Sequence, residues 1–366
     1  MSGKRLIALS ALLLSFCGEM SAQDETSRII YTDASDLTLV GRIHDGVPNM
    51  LNRIDVGKYP DLSAREVNLL KNPTGLALAF MTDSPSIDVV AKVEEGFQMS
   101  TLRWRSGLDL YIRRDGNWLW AGVGQVSDGK SVQIAADMDG SMHECLLYLP
   151  LTTHLESVKV GIAEGSIIEA LPYPFGGGRI MVWGSSFTQG SGTTRPGLTY
   201  SAMIQRSTGL DILNAGMGGT CFMQPSVTRV LCDADFDVFI IDAFSNGGPE
   251  SMRANMFNFI ETVQATHPGV PIIFQKTIYR EKRNFNTAMA VSEKAKSDCA
   301  DSLLNIALKK YKDIYVIQPD ATSDTHDTSY DGTHPSEYGY RLWAESILPQ
   351  LRPILRRYGI RIPKKL

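Results

Sequence analysis

The sequence predicts two architectures in series, an antiparallel β-sandwich followed by a parallel α/β sheet, and three observations carry that prediction. From about Ile29 to Ala170 the apolar residues fall in short alternating runs broken by turn signals, the rhythm of antiparallel strands. Beyond Arg179 the apolar runs are spaced by helix-length segments, as strand and helix alternate in a parallel sheet covered on both faces. Between the two regions, Pro172, Pro174 and Gly176-Gly177-Gly178 favour neither helix nor strand. The expected division is a leader over 1–22, a sandwich over 24–172 and an α/β unit over 176–366.

The leader comes first. Lys4-Arg5 precedes an apolar stretch from Leu6 to Phe16, and Met20-Ser21-Ala22 places a small residue before Gln23, the charge, apolar run and cleavage site of a secretory signal. The run is too short for the roughly 20 residues of a membrane span. Export to the periplasm or the medium is therefore expected, with no transmembrane segment after cleavage. Cys17 raises lipid attachment as an alternative, but Phe16 before it argues against a lipoprotein box.

Strands of the sandwich are expected at Leu37–Val40, Leu76–Phe80, Ile87–Val93, Leu108–Ile112, Trp118–Val123, Val132–Ile134 and Val158–Ile162, with turns at Asp115-Gly116-Asn117, Asp128-Gly129 and Asp139-Gly140. Trp118 and Trp120 alternate as one strand face would, so with Trp104 they read as core residues in preference to a sugar-stacking platform. In the second unit, strands are expected at Ile180–Trp183, Ile212–Leu213, Val238–Ile241, Ile272–Phe274 and Tyr315–Ile317. Helices are expected at Thr199–Ser207, Pro249–Thr266, Phe285–Tyr311 and Ser336–Tyr358.

A chain of 366 residues with 43% hydrophobic and 21% charged residues has the composition of a soluble globular protein with material for two cores. A net charge of −4 without a long basic block argues against nucleic acid as a partner. After the leader, Cys145, Cys221, Cys232 and Cys299 remain, with no CxxC pair and no metal-ligand spacing. Export permits a Cys221–Cys232 disulfide, whereas a chain of this size can equally keep buried free thiols. Asp320, Asp324, His326 and Asp327 cluster in sequence without recognised ligand spacing, so neither a metal nor a cofactor is expected.

The chemistry lies at the ends of the second unit's strands, where ligands of such sheets bind. The run Arg179-Ile180-Met181-Val182-Trp183 stops at Gly184-Ser185-Ser186, a turn able to hold a hydroxyl clear of the sheet. Far downstream, Asp331-Gly332-Thr333-His334-Pro335 carries an acid and an imidazole that share a loop if Gly332 and Pro335 let it bend back. His334 suits the role of base, since imidazole accepts a proton near neutral pH, and Asp331 would orient it. Two glycine-rich turns, Asn214-Ala215-Gly216-Met217-Gly218-Gly219 and Phe244-Ser245-Asn246-Gly247, follow the intervening strands. Taken singly, Ser186 reads equally well as a helix cap, Gly219 as a turn glycine and Asp331 as a solvated loop acid.

Together these four blocks resemble those of the SGNH hydrolases, the GDSL-type esterase superfamily, over residues 179 to 355. Ser106-Gly107-Leu108-Asp109-Leu110-Tyr111 is similar to the GxDLY motif of the β-rich domain that precedes some bacterial members. The resemblance implies a flavodoxin-like parallel sheet and ester hydrolysis through an acyl-serine. It assigns Ser186, His334 and Asp331 as nucleophile, base and orienting acid. It assigns the backbone NH groups of Ser186 and Gly219 and the Asn246 amide as oxyanion donors. Ser185 stands where the family usually has Asp, which leaves the role of that Asp unfilled. The expected substrate is an acylated carbohydrate or other small ester, with acetyl the expected acyl group. The alternatives are a lipase or thioesterase for longer acyl chains, or a carbohydrate-binding protein that has lost catalysis.

Overall fold

The computed structural model describes residues 28–325 and 327–363; the expected leader, Cys17 and His326 lie outside the described residues. Ten strands form the N-terminal half: β1 (Ile29–Asp33), β2 (Thr38–Val40), β3 (Ala77–Thr82), β4 (Ile87–Val93), β5 (Gly107–Arg114), β6 (Asn117–Gln125), β7 (Ser131–Ala135), β8 (His143–Tyr148), β9 (Leu155–Ala163) and β10 (Ile168–Ala170). One antiparallel sheet has the order β1-β9-β4-β7; the other has β10-β3-β8-β5-β6, with β2 added on β3. Alternation decides which side chains meet between them. Leu78, Phe80, Leu108, Leu110, Cys145 and Leu147 point into the shared core with Val89, Val158 and Val160 of the facing sheet.

The other face of the second sheet is covered as well. Ala77, Ala79, Tyr111, Leu146 and Tyr148 form a separate cluster with Ala202 of the C-terminal half. Burial on both faces gives β8 a continuous apolar run instead of an alternating one, and with β1 and β10 it is a strand that the alternation pattern did not reveal. Trp120 corrects an expectation: it is 53% exposed, on the edge strand β6. Trp118 is half-buried against the same cluster and Trp104 is buried.

The C-terminal half holds β11 (Arg179–Gly184), β12 (Asp211–Gly216), β13 (Val238–Asp242), β14 (Ile272–Gln275) and β15 (Ile314–Ile317), paired in parallel in the order β12-β11-β13-β14-β15, which is the flavodoxin-like order. Two short helices, α1 (Ala64–Leu70) and α2 (Arg103–Ser106), lie among the N-terminal strands. The rest follow β11: α3 (Ser186–Gln189), α4 (Tyr200–Thr208), α5 (Pro225–Cys232), α6 (Pro249–Thr266), α7 (Thr287–Lys310) and α8 (Glu337–Arg357). Along β11, Met181 and Trp183 enter the core beneath α5, α6 and α7, while Ile180 and Val182 enter the core beneath α4 and α8. Each fully buried aliphatic or aromatic side chain of this kind stabilises the fold by about 1.5–3 kcal/mol.

The two halves are tied in two places. The segment between β2 and β3 leaves the sandwich, and its Ile43, Ile54, Leu62 and Leu70 are buried in the core of the α/β sheet. In that segment Arg53 is fully buried and donates to the carbonyls of Asn214 at 2.6 Å and Leu69 at 2.5 Å. The second tie is the GxDLY motif itself. Strand alternation turns Asp109 and Tyr111 of β5 away from the sandwich core, and Asp109 accepts from Arg195 Nη1 at 2.7 Å and Gly197 N at 2.9 Å. Arg195 also donates to Tyr111 Oη at 2.9 Å, and the Arg206 guanidinium stacks 3.7 Å from the centre of the Tyr111 ring.

Cys145, Cys221, Cys232 and Cys299 are buried free thiols, the second of the two alternatives that the sequence left open, and no Cys221–Cys232 disulfide is formed. Among the described residues no helix is long and apolar enough to cross a membrane.

Candidate active site

Sheet register places the site. Gly184 at the end of β11 lies level with Gly216 of β12 and Asp242 of β13, so the turns after all three strands emerge along one carboxyl edge. Ser186 opens α3 immediately beyond Gly184, with Ser185 as N-cap accepting from Phe187 N at 3.1 Å. Gly219 and Asn246 follow in the two neighbouring turns, and all three residues line one cleft of about 710 Å³.

The imidazole reaches this edge from beyond β15 through a short hairpin. Tyr330 N donates to His334 O at 2.6 Å and Ser336 N to Thr328 O at 2.8 Å, closing a turn around Asp331. Gly332 takes a left-handed φ of 81°, a conformation that a residue with a side chain seldom adopts. From the loop after β14, Glu281 braces the hairpin by accepting from Thr328 N at 3.0 Å and Ser329 Oγ at 2.6 Å.

Within this frame Ser186, His334 and Asp331 form one hydrogen-bonded chain. His334 Nδ1 lies 2.9 Å from Asp331 Oδ2, and His334 Nε2 lies 2.9 Å from Ser186 Oγ. An ionised carboxylate can only accept, so Nδ1 carries the proton and Nε2 accepts from the serine hydroxyl. Burial alone would raise the pKa of Asp331. Its hydrogen bonds from the His334 backbone and ring and from Thr333 N outweigh that, holding the carboxyl below its usual range. Phe187 sets its ring edge-on to His334 at 5.6 Å and limits the tilt of the imidazole.

On the opposite side, Cys221 N donates to Asn246 Oδ1 at 3.2 Å, which assigns the amide and leaves its NH₂ group for the cleft. No acceptor among the described residues takes the backbone NH of Ser186 or Gly219. Gly219 has a φ of 70°, and a Cβ there would lie 2.7 Å from Arg65 Nη2.

These features place the chain among known proteins. The model of the GDSL-like lipase/acylhydrolase family matches residues 178–352, and the model of the GxDLY N-terminus of SGNH-hydrolase-type esterases matches residues 29–168. A protein from Bacteroides ovatus described as a GDSL-like lipase is 33% identical, with 93% of this chain and all of that one covered at a TM-score of 0.85. The chain belongs to the GDSL-like, or SGNH, hydrolase family. It is a carboxylic ester hydrolase of the type that carries a GxDLY N-terminus.

More distant folds agree. The salicylyl-acyltransferase SsfX3 from a tetracycline biosynthetic pathway is 18% identical over 91% of this chain and 98% of its own, with a TM-score of 0.67. A family two carbohydrate esterase from Cellvibrio japonicus is 13% identical over 90% of this chain and 99% of its own, with a TM-score of 0.58. A search of curated proteins gives no match.

In this SGNH hydrolase the serine standing in place of the motif Asp is tied to a carboxylate of the adjacent strand. Ser185 Oγ donates at 2.7 Å to Asp242 Oδ2, a fully buried carboxylate at the end of β13 that also accepts from Ser245 Oγ at 2.7 Å. Burial pushes the Asp242 pKa up to about 6, against those hydrogen bonds and the charge of Arg280. Sequence reading overlooked Asp242 because it ends an apolar strand and belongs to no recognised block.

The cleft also draws on the N-terminal half. Phe97, Leu102, Trp104 and Arg105 from the loop around α2, and Arg65 from α1, line it together with Ser186 and His334. Glu66 fixes α1 there: it forms a capping box with Ser63 and accepts from Gln224 Nε2 and Ser226 Oγ at 3.0 Å each. Arg65 Nε then reaches Thr220 Oγ1 at 2.9 Å, beside the Gly219 turn. No motif announced these residues, since they matter through assembly of the two halves.

Proposed function

We propose that this hydrolase removes a short acyl group, acetyl in the first instance, from a carbohydrate by way of an acyl-serine. The observation that carries the reading is the unbroken chain Asp331–His334–Ser186, with both contacts at 2.9 Å. Ser186 Oγ attacks the ester carbonyl as its proton passes to His334 Nε2. The resulting imidazolium is stabilised by ionised Asp331. Negative charge developing on the carbonyl oxygen is met by the NH groups of Ser186 and Gly219 and the Asn246 amide, donors of a kind that contribute about 2.7–4 kcal/mol each to the transition state. His334 then protonates the leaving sugar alcohol. A water takes the alcohol's place, gives its proton to His334 and releases the acid, restoring the serine hydroxyl.

Two observations favour a sugar ester over a long acyl chain. Polar side chains, among them Gln189, Asn246, Arg65 and Arg280, line the cleft beside Ser186 and His334. The fold, sandwich included, also matches a protein described as a carbohydrate esterase. The leader read from the sequence supports export, which N-terminal analysis of the mature protein would check.

The test is Ser186→Ala. A folded variant unable to turn over p-nitrophenyl acetate, while the wild type does so and prefers acetyl to octanoyl esters, supports the reading. Unchanged activity refutes the assignment of the nucleophile.

A further inference from the structure

The charged groups of the cleft are unbalanced: three guanidinium groups line it against one carboxylate. Arg65 and Arg105 are exposed side chains lining it, and neither has a carboxylate partner among the described residues. Arg65 meets only the hydroxyl of Thr220 and the carbonyl of Gly218, and the Arg105 guanidinium lies over the Trp104 ring at 4.8 Å. Arg280 adds a third guanidinium, 3.3 Å from Glu293, which also takes Lys296 at 3.0 Å. Asp331 is the one carboxylate of the lining, and it is committed to His334. Two further donors are buried without partners: Nε2 of Gln189, whose Oε1 accepts from Gly218 N at 3.1 Å, and Nε1 of Trp104.

Unpaired buried donors are costly unless a ligand satisfies them, and guanidinium groups suit planar or tetrahedral oxyanions. The net charge of the whole chain is −4, so this local excess of cations is not a reflection of overall composition. We propose that the sugar carrying the scissile acyl group is anionic, bearing a carboxylate or sulfate that Arg65 and Arg105 receive while the ester lies at Ser186. The inference rests on the ester-hydrolase reading only for the position of the ester. Arg65 belongs to α1 and Arg105 to α2, so the N-terminal half supplies the selectivity and the α/β half the chemistry.

The experiment has a binding arm and a turnover arm. Ser186→Ala protein is titrated calorimetrically with an oligogalacturonide, its carboxyl-reduced neutral counterpart, a sulfated oligosaccharide and its desulfated form. Wild-type kcat/KM is measured on the acetylated versions of all four, with p-nitrophenyl acetate as reference. The expected result is a preference of about tenfold or more for one charged member of a pair over its neutral partner, corresponding to about 1.4 kcal/mol. Which pair shows it separates carboxylate from sulfate. That preference should shrink at about 0.5 M salt, where charge interactions are screened, and in Arg65→Gln and Arg105→Gln. Equal binding and turnover of charged and neutral partners overturns the inference while leaving the esterase reading intact. A charge preference in binding without hydrolysis of any ester upholds the inference and overturns the catalytic assignment instead.

Discussion

Ser185 and Asp242 are joined by a 2.7 Å hydrogen bond at the buried ends of adjacent strands, and this pair holds the turn that presents Ser186. The carboxylate that anchors this turn comes from the neighbouring strand β13. Ser185→Ala removes both this bond and the N-cap of α3, leaving Asp242 short of one donor. The expected loss is about 1–3 kcal/mol in chemical denaturation, with a fall in kcat as the Ser186 turn loosens.

The same carboxyl gives stability a pH dependence. Its pKa rises in the folded state to about 6 from an ordinary 3.8, so the folded protein holds the proton more tightly than the unfolded chain. The stabilisation from this group is full below the unfolded value and is lost as pH rises through about 6. The stability of wild type relative to Asp242→Asn should therefore decline between pH 4 and 7, by on the order of 3 kcal/mol for a shift of this size. Urea denaturation at a series of pH values measures it, and a difference independent of pH would contradict the assignment.

Asp331 has the opposite sign. Its pKa lies below the usual carboxylate value, so it is fully ionised near neutral pH. Titration of this carboxyl should therefore leave no step in kcat/KM above about pH 5. Asp331→Asn should lower kcat by about 10²–10⁴ through loss of imidazolium stabilisation and of the correct tautomer, with KM for p-nitrophenyl acetate little changed.

Asn246 offers a test of the oxyanion site. Replacing it by Ala should reduce kcat by about 10²–10³, whereas Asn246→Asp should be no better, because a carboxylate cannot donate to a developing anion. Steady-state kinetics on one small ester decides both.

The Asp109–Arg195 ion pair predicts an effect far from the chemistry. Asp109 is fully buried, burial raising its pKa against the pull of Arg195, and its removal leaves Gly197 N without its acceptor and Arg195 without its carboxylate. Asp109→Ala should cost about 3–5 kcal/mol and lower Tm. Any activity remaining should show a raised KM for oligosaccharides, more than for p-nitrophenyl acetate, as the two walls of the cleft lose their alignment.

Where the sequence was legible, local signals and burial agreed. Residues 180–183 of β11 and 238–241 of β13 are unbroken apolar runs because helices cover both faces, and Ser336 caps α8 where the pattern starts it. The predicted site residues Ser186, Gly219 and Asn246 meet because register brings three strand ends level, and His334 joins them on the hairpin beyond β15. What the pattern hid depended on contacts distant in sequence. Covered on both faces, β8 lost its alternation; Trp120 was read as core because nothing local marks an edge strand. Arg65 and Trp104 reach the cleft only once α1 and α2 dock on the second half. The buried thiols were undecidable from spacing, since the separation of Cys221 and Cys232 in sequence is compatible with a bonded or a free pair.

The loop bearing Phe97 to Arg105 contributes to the cleft wall yet takes no part in the proton relay. A lineage could exchange that loop, and with it the range of esters admitted, while leaving the reaction untouched. Selectivity and chemistry are thereby free to evolve at different speeds within one chain.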